Sequence, residues 1–390
     1  METSSEFAII GGGVCGLTTA IALQNINRDF HLFEKTPSIK GIGAGFGLAA
    51  NAMQALHYLG LSDEIKKIGY PVNSYAILDQ HGGILVDPDT ASLSQRYQQE
   101  NYIIHRADLH QHLFSKIKTT QISLGAQATH VKQMSDYVLV YFDNGNSHKC
   151  KYLLVTDGIR SALRTQLLPD STPRYAGYTC WRATIDNSTI QLDKGTETWG
   201  NKGRFGMSPL INNRIYWYAC INAEANSSKY KDFTTQNLID NFSNYHQPIT
   251  EILKQTRDED LIWTDIADIK PLTRFAFNQI LLMGDAAHAT TPNMGQGACQ
   301  ALEDVAILIQ EIKQNKDVRQ AFRSFEQRRM SRTRYITQTS KLIGEVGQWD
   351  NNFLIFLRNN LLKIVPSKWN QRSLNNLLEK DFMTLKSNKK

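Results

Sequence analysis

Apolar and polar positions recur along this chain with two different periods, and the places where the period changes mark its elements. Phe7 to Ile10 is a short apolar run of strand type. It is followed by the glycine turn Gly11–Gly16, an apolar-faced segment with helical spacing over 17–26, and a second strand-like run over 29–35. Strand, turn, helix and strand in that order form a βαβ unit, which forces a parallel sheet. Residues 51–68 keep helical spacing, with Met53, Leu56, Leu59 and Ile65 on one side. From 74 the period drops to two. Residues 74–87 predict a hairpin turning at Gly82-Gly83, 137–158 a second set of short strands, and 175–270 a mainly β region with Asn212-Asn213 as a tight turn. Helical spacing returns only after Gly297 and persists through 346.

The predicted class is therefore α/β: a Rossmann-like parallel sheet, interrupted by a sheet-rich insertion and resumed near the C-terminus. The corresponding domains are a discontinuous nucleotide-binding unit over 1–73, 100–172 and 272–345, and a mainly β substrate domain over 74–99 and 173–271. Helices with a short basic tail occupy 346–390. The segment 349–380 is amphipathic and basic, with Pro366 between two helices, which suits packing across the two domains, a dimer contact or an interfacial membrane helix.

Composition narrows the function classes. The chain has 390 residues, 41% hydrophobic and 21% charged, which suits a globular protein with sizeable cores. No run reaches the roughly 18 uncharged apolar residues of a membrane span, and the N-terminus carries no signal-like pattern. A cytoplasmic protein without stable membrane insertion, monomeric or homodimeric, is expected. The net charge of +6 is scattered and lacks an accompanying aromatic stripe, so no nucleic-acid partner is expected. The five cysteines lie far apart with no CxxC pair, which predicts reduced thiols, and no metal-ligand spacing occurs.

The chemistry starts at Gly11-x-Gly13-x-x-Gly16, which follows a predicted strand and opens a predicted helix, with Glu34 at the end of the next strand. In that setting the glycines serve a tight turn, close approach of backbone to a pyrophosphate, and close helix-to-strand packing. Phosphates would rest on the helix N-terminus at Val14 and Cys15. Glu34, beside Lys35, would accept hydrogen bonds from ribose hydroxyls.

Three further stretches decide between dinucleotides: Arg106 in "IIHRADLHQHL", "TDGIRSALR" (156–164) and "LLMGDAAHATTPNMGQGACQALEDVAIL" (281–308). With the fingerprint they resemble the class A FAD-dependent aromatic hydroxylases of the para-hydroxybenzoate hydroxylase fold. "GIGAGFGLAANAMQAL" (41–56) and "RYAGYTCWRATI" (174–185) bring the likeness nearest to the branch of urate hydroxylases, salicylate hydroxylases and zeaxanthin epoxidase. The resemblance implies an FAD-binding sheet of the glutathione reductase type under a β-sheet-rich substrate domain. It makes Gly45 part of a glycine-rich segment beside flavin and substrate, Arg106 an FAD contact, and Asp157-Gly158 the motif touching the pyrophosphate. Asp285 would bind the ribityl hydroxyls, and Pro292 with Gly295, Gln296, Gly297 and Ala298 would place backbone N–H groups at the flavin. Thr156 departs from the small residue usual there.

The same resemblance implies non-covalent FAD, with NAD(P)H as a transient co-substrate and O2 as the oxidant. The enzyme would hydroxylate a small aromatic, enolic or N-heteroaromatic compound through a flavin C4a-hydroperoxide. Oxidative inactivation of a tetracycline-like polyketide is the alternative within the class, and a redox-silent FAD-fold binding protein the alternative outside it. Arg204 and Tyr216 are the candidate substrate contacts. Asn293 replaces the Asp that urate-type members carry, which argues against urate. His288, Cys299, Glu303 and Asp304, although chemically suggestive, are expected to be structural.

Overall fold

The structure is a computed structural model that describes residues 2–39, 44–72, 74–88, 94 and 99–364. In chain order its first elements are β1 (Glu2–Ile10), α1 (Val14–Asn25), β2 (Phe30–Glu34), β3 (Gly45–Leu48), α2 (Ala50–Tyr58), α3 (Ser62–Ile68) and β4 (Gly69–Val72). There follow β5 (Tyr75–Asp79), β6 (Ile84–Val86), β7 (Asn101–His105), α4 (Arg106–Ser115), β8 (Ile122–Leu124), β9 (Ala128–Gln133), β10 (Val138–Phe142), β11 (Ser147–Val155) and α5 (Ala162–Leu167). The insertion contains β12 (Pro173–Asp186), β13 (Gly195–Gly200), β14 (Gly203–Leu210), β15 (Arg214–Asn222), α6 (Thr235–Asn241), α7 (Ile249–Gln255) and β16 (Ile262–Ile269). The last described elements are β17 (Ala276–Phe277), β18 (Ile280–Leu282), α8 (Asp285–His288), α9 (Gly297–Gln314), α10 (Val318–Gly347) and α11 (Asn352–Ile364).

The first sheet runs β17-β18-β11-β1-β2-β8, with β10 and β9 appended to β11. β18, β11, β1, β2 and β8 are parallel neighbours. Its strands are apolar because both faces are covered: Phe7, Ala8, Ile9, Leu153, Leu154 and Ile280 through Leu282 are all buried. The fingerprint explains the tight join to α1. A Cβ on Gly16 would stand 1.9 Å from the Gly11 carbonyl oxygen, and one on Gly11 would stand 2.5 Å from that of Thr156. Thr156 Oγ1 locks the same corner by donating to the carbonyls of Ile10 and Gly11 at 2.9 and 3.0 Å.

The second sheet, β16-β12-β15-β14-β13-β5-β6, is antiparallel except where β13 meets β5. Its hairpin β14–β15 turns through the three residues Ile211–Asn213, with Asn212 and Asn213 both at positive φ (59° and 52°). Side chains alternate across it. Trp181, Ala183, Phe205, Met207, Ile215, Trp217 and Ala219 pack with Leu238, Phe242, Ile249 and Ile252 of the α6–α7 region. The opposite face turns toward the first sheet. A third sheet, β3-β7-β4, is small.

Three local readings are refined. The strand expected at 7–10 begins at Glu2, because its polar start pairs with Ser147 to Cys150 of β11. The helix expected over 51–68 is two helices, broken at Gly60 with φ 75°. The β region over 175–270 also contains α6 and α7, each only seven residues long. Helix α11 is held by Arg358, whose Nη1 donates to the carbonyls of Val346 and Gly347. Its outer face leaves Phe353, Phe356, Leu361 and Ile364 exposed. Pro366 and the rest of the amphipathic segment beyond 364 lie outside the described residues. Among the described residues no helix is long and apolar enough to cross a membrane.

Candidate active site

Four loops meet at the carboxyl ends of parallel strands: Gly11–Gly13 after β1, Glu34-Lys35 after β2, Thr156–Gly158 after β11, and Met283–Asp285 after β18. That edge of an open parallel sheet is where ligands bind. The loops line a cavity of about 1000 Å³ that extends to the polar face of the second sheet. It brings together every expected site residue except Gly16: Gly11, Gly13, Val14, Cys15, Glu34, Lys35, Gly45, Arg106, Asp157, Gly158, Arg204, Tyr216, Asp285, Pro292, Asn293 and Gly295 through Ala298. Gly16 instead serves the helix-to-strand contact described above.

At the first-sheet end the backbone is bare. A Cβ built on Gly13, Gly158, Gly295 or Gly297 would meet nothing within 4 Å, so a ligand can approach the main chain directly there. Gly295 is left-handed (φ 62°) and ends the short 3₁₀ turn Pro292–Met294, which turns the chain into α9. Glu34 Oε2 accepts from the Gly12 N–H at 2.6 Å and Oε1 from the Thr36 N–H at 2.9 Å, which fixes the carboxylate at the rim. Asp157 Oδ1 is buried without a hydrogen-bond partner, and burial pushes its carboxyl up to about 6. Burial likewise raises Asp285, against the pull of His288 and Arg106, although its side chain opens to the cavity. Bare glycines, an orphaned carboxylate oxygen and two helix N-termini facing one cavity fit a dinucleotide carrying a pyrophosphate and polyol.

At the second-sheet end the parity of the strands selects the lining. Cys180 and Arg182 of β12, Glu197 and Trp199 of β13, Arg204 and Ser208 of β14, and Tyr216, Tyr218 and Cys220 of β15 all face the cavity. Arg204 is 2% exposed and held on three sides. Its Nε donates to Gln348 Oε1 at 2.8 Å, its Nη1 to Glu197 Oε1 at 3.1 Å, and its Nη2 to Asn293 Oδ1 at 2.8 Å. Burial works against its charge, but Glu197 together with Cys220, Tyr178 and Tyr218 outweighs that and raises its pKa, so it stays a cation. Tyr216 packs against Gly45, where a Cβ would stand 2.5 Å from its ring, and the Arg182 guanidinium lies on the same wall.

Asn293 is a hub. Its Nδ2 donates to Thr291 Oγ1 and the Ser340 carbonyl, both at 2.8 Å, while its Oδ1 accepts from Arg204 and Tyr178. Gly344 and Gly347 of α10 make room for this pair. A Cβ on Gly344 would stand 2.3 Å from Asn293 Nδ2, and one on Gly347 would stand 3.1 Å from Arg204 Cδ.

His288, Cys299, Glu303 and Asp304 lie off the cavity. Arg329 bridges Glu303 and Asp304 at 2.5 and 2.6 Å, and Asp304 also pairs with His288 at 2.7 Å. Asn51 ties Glu303 to Gln296 at the start of α9. This buried network braces the flank of the site. Glu197, Gln348, Tyr178, Arg182 and Tyr218 were not anticipated from sequence. Only strand parity, counted from the Asn212-Asn213 turn, could have found Tyr218. Among the described residues no group of three or more His, Cys, Asp or Glu could hold a metal ion.

The family model described as FAD binding domain matches residues 4–340. The chain belongs to the class A FAD-dependent aromatic hydroxylases. It is 33% identical over 368 residues to the aurachin C monooxygenase/isomerase of Stigmatella aurantiaca, covering 94% of this chain and 96% of that one. It is 28% identical to the 2-heptyl-3-hydroxy-4(1H)-quinolone synthase of Pseudomonas aeruginosa strain UCBPP-PA14, covering 93% and 95%. Among solved structures, Klebsiella pneumoniae HpxO complexed with FAD and uric acid superposes with a TM-score of 0.88 at 26% identity, covering 96% of both chains. As a class A hydroxylase the protein is a flavoprotein monooxygenase that binds FAD.

Proposed function

We propose that this hydroxylase uses NAD(P)H and O2 to add one oxygen atom to a small enolic N-heteroaromatic ring bearing an apolar substituent. The observation that carries the reading is that one cavity joins the dinucleotide loops to a caged guanidinium. FAD, when bound, supplies electron transfer from NAD(P)H and activation of O2.

The chain's own residues would do the rest. The N–H groups at Gly13, Val14 and Cys15 would hold the pyrophosphate, with Asp157-Gly158 beside it, and Glu34 with Lys35 would hold the ribose. Asp285 would bind the ribityl hydroxyls, with Arg106 nearby. Pro292 would shape the turn that presents the backbone of Gly295 to Ala298 to the isoalloxazine.

Of Arg204's five N–H donors, Gln348, Glu197 and Asn293 take three, leaving two that could meet a ligand oxygen. A cation fixed there would favour the enolate form of a substrate, whose ring carbon is then electron-rich. Tyr216 would supply a hydroxyl, and Asn293 would orient Arg204 rather than touch substrate. Val72, Ile77, Val86, Pro88, Ile343 and Leu362 form an apolar wall for a substituent. The quinolone named for the Pseudomonas relative combines such a ring with an alkyl chain. We extend the proposal to the domain division: the first and second sheets would be the FAD-binding and substrate domains, with a soluble cytoplasmic setting.

The test is NAD(P)H oxidation by the purified yellow protein against 2-alkyl-4-quinolones, phenolic acids, purines and tetracyclines, with product mass. A one-oxygen gain on an alkylquinolone is expected. Coupled turnover confined to purines, phenolic acids or tetracyclines would overturn the substrate class, and NAD(P)H consumption without oxygen gain on any of them would overturn hydroxylation.

A further inference from the structure

Two thiols that the proposed reaction does not use face each other on the cavity wall. Cys180 of β12 and Cys220 of β15 are register partners in an antiparallel pair. Each is 1% exposed and each lines the cavity. Residues opposite one another in such a pair have Cα atoms about 4.5–5.5 Å apart. That separation falls inside the roughly 4.4–6.8 Å that a disulfide spans. Both side chains stand on the same face of the sheet and belong to one buried cluster with Tyr178 and Ile266, with the Cys180 thiol donating to the Trp181 carbonyl at 3.5 Å.

The other three cysteines are differently placed. Cys15, Cys150 and Cys299 are buried and donate to the backbone carbonyls of Ala301, Val138 and Gly295. Burial pushes the Cys150 and Cys299 thiols up to about 12, which makes them poor nucleophiles. Burial opposes ionisation of Cys180 too, but the neighbouring Cys220 thiol and the guanidiniums of Arg182 and Arg204 together hold it below the usual thiol value. Cys180 is therefore the more readily ionised thiol of the pair, with its resolving partner directly opposite in the register.

We propose that Cys180 and Cys220 form a two-electron redox pair that hydrogen peroxide, released into the cavity when oxygen transfer fails, converts into a cross-strand disulfide. The Cys180 thiolate attacks one peroxide oxygen, the O–O bond breaks, and the other oxygen leaves as hydroxide, giving a sulfenic acid. The Cys220 sulfur then attacks the Cys180 sulfur. The S–S bond forms, the S–O bond breaks, and the departing oxygen takes up protons as water. The two sulfurs together lose two electrons, and peroxide is reduced to water. Bonding the sulfurs turns both side chains toward each other on the wall they share with Arg182, Arg204 and Tyr216, and so changes the surface beside Arg204. The disulfide thus withdraws the site from turnover until a dithiol reduces it. Only the source of the peroxide rests on the oxygenase reading.

The experiment uses full-length FAD-loaded protein, reduced, freed of reductant and exposed to hydrogen peroxide. Free thiols are then alkylated under denaturing conditions for intact mass and peptide mapping. Of the five free cysteines, three should remain alkylatable, with the peptides carrying Cys180 and Cys220 joined. Dithiothreitol should restore all five and recover substrate binding. Cys220→Ser should stop at a dimedone-trappable sulfenic acid on Cys180, and Cys180→Ser should give neither product. The wild-type mapping decides the matter even if a variant folds poorly. Five free thiols after a dose that abolishes substrate binding would overturn the proposal. So would a join to another cysteine, or stable sulfinic acid on Cys180 without a cross-link. Cross-linking by added peroxide in a protein that shows no NAD(P)H oxidation would uphold the thiol pair while defeating the oxygenase reading.

Discussion

Arg204→Met removes the cation at the second-sheet end of the cavity while keeping much of the side-chain volume. In the folded protein the change strips partners from Glu197, Gln348 and Asn293, which accept from Arg204 at 3.1, 2.8 and 2.8 Å. Glu197, whose side chain is 10% exposed, is left as a buried carboxylate without its cation. Breaking a buried pair from one side costs about 3–5 kcal/mol, so a fall in Tm is expected whatever Arg204 does in catalysis. The functional term is separate. A hydrogen bond from a charged donor to a substrate oxygen is worth about 1.5–3 kcal/mol, which predicts a loss in kcat/KM of about 10- to 150-fold. FAD affinity should change by less than about threefold, because Arg204 stands on the second sheet and the fingerprint loops on the first. Adding Glu197→Gln should recover much of the stability by removing the orphaned charge, and little of the turnover. The assays are thermal unfolding, flavin titration and NAD(P)H oxidation coupled to product mass. Retention of kcat/KM within about threefold, or its full recovery in the double variant, would reduce Arg204 to a structural group.

Three further substitutions probe the surroundings. Gly344→Ala places a Cβ 2.3 Å from Asn293 Nδ2 and should lower kcat more than stability, by displacing the side chain that orients Arg204; unchanged kinetics would show that Asn293 yields freely. Asp157→Asn should stabilise the flavin-free protein. Burial raises this carboxyl from 3.8 to about 6, so its destabilising effect is absent below the unfolded value and complete above the folded one. The gain in unfolding free energy, on the order of 1–3 kcal/mol at pH 7.5, should fade toward pH 4, and a gain independent of pH would refute the assignment. Arg329→Met should cost about 3–5 kcal/mol, since it leaves Glu303 and Asp304 buried without their shared cation. Burial raises Glu303, but Arg332 and Arg329 override it and hold the carboxyl at about 2, below its usual 4.5. Its contribution is therefore present above pH 4.5 and lost as the pH falls toward 2. The variant should flatten that acid limb in unfolding scans, and an unchanged limb would count against the network.

Sequence alone was most informative where the controlling contacts are local. The βαβ start, the hairpin at Gly82-Gly83 and the Asn212-Asn213 turn are set by residues within a few positions of one another, and each stands where its pattern puts it. Polar strands are harder. "GTETWG" forms β13 in the middle of the second sheet, yet it carries no alternation because nearly every position in it is buried. Glu197 was hidden for that reason. Gln348 was hidden for another: its bond to Arg204 spans 144 positions, and only the path of α10 brings it there. The helices α6 and α7 are too short to show a period.

The substrate side was partly concealed by its own composition. Strands β12 to β15 carry aromatic side chains on both faces, Trp181, Phe205 and Trp217 on one and Trp199, Tyr216 and Tyr218 on the other, so aromatic content does not tell which face meets the core. Burial does not separate them either, since Trp217 is 0% exposed and the cavity-lining Arg204 only 2%. The distinction is what covers each face: α6 and α7 close one, the dinucleotide cavity the other. The Asn212-Asn213 turn removes the ambiguity. The three-residue connection Ile211–Asn213 fixes the register of the hairpin, pairing Leu210 with Arg214 and hence Ser208 with Tyr216, Gly206 with Tyr218 and Arg204 with Cys220. Once Arg204 is assigned to the site, period two places Ser208, Tyr216, Tyr218 and Cys220 on the same face. A cavity wall was therefore encoded in a turn and a parity. The same register, carried across to β12, sets Cys180 against Cys220.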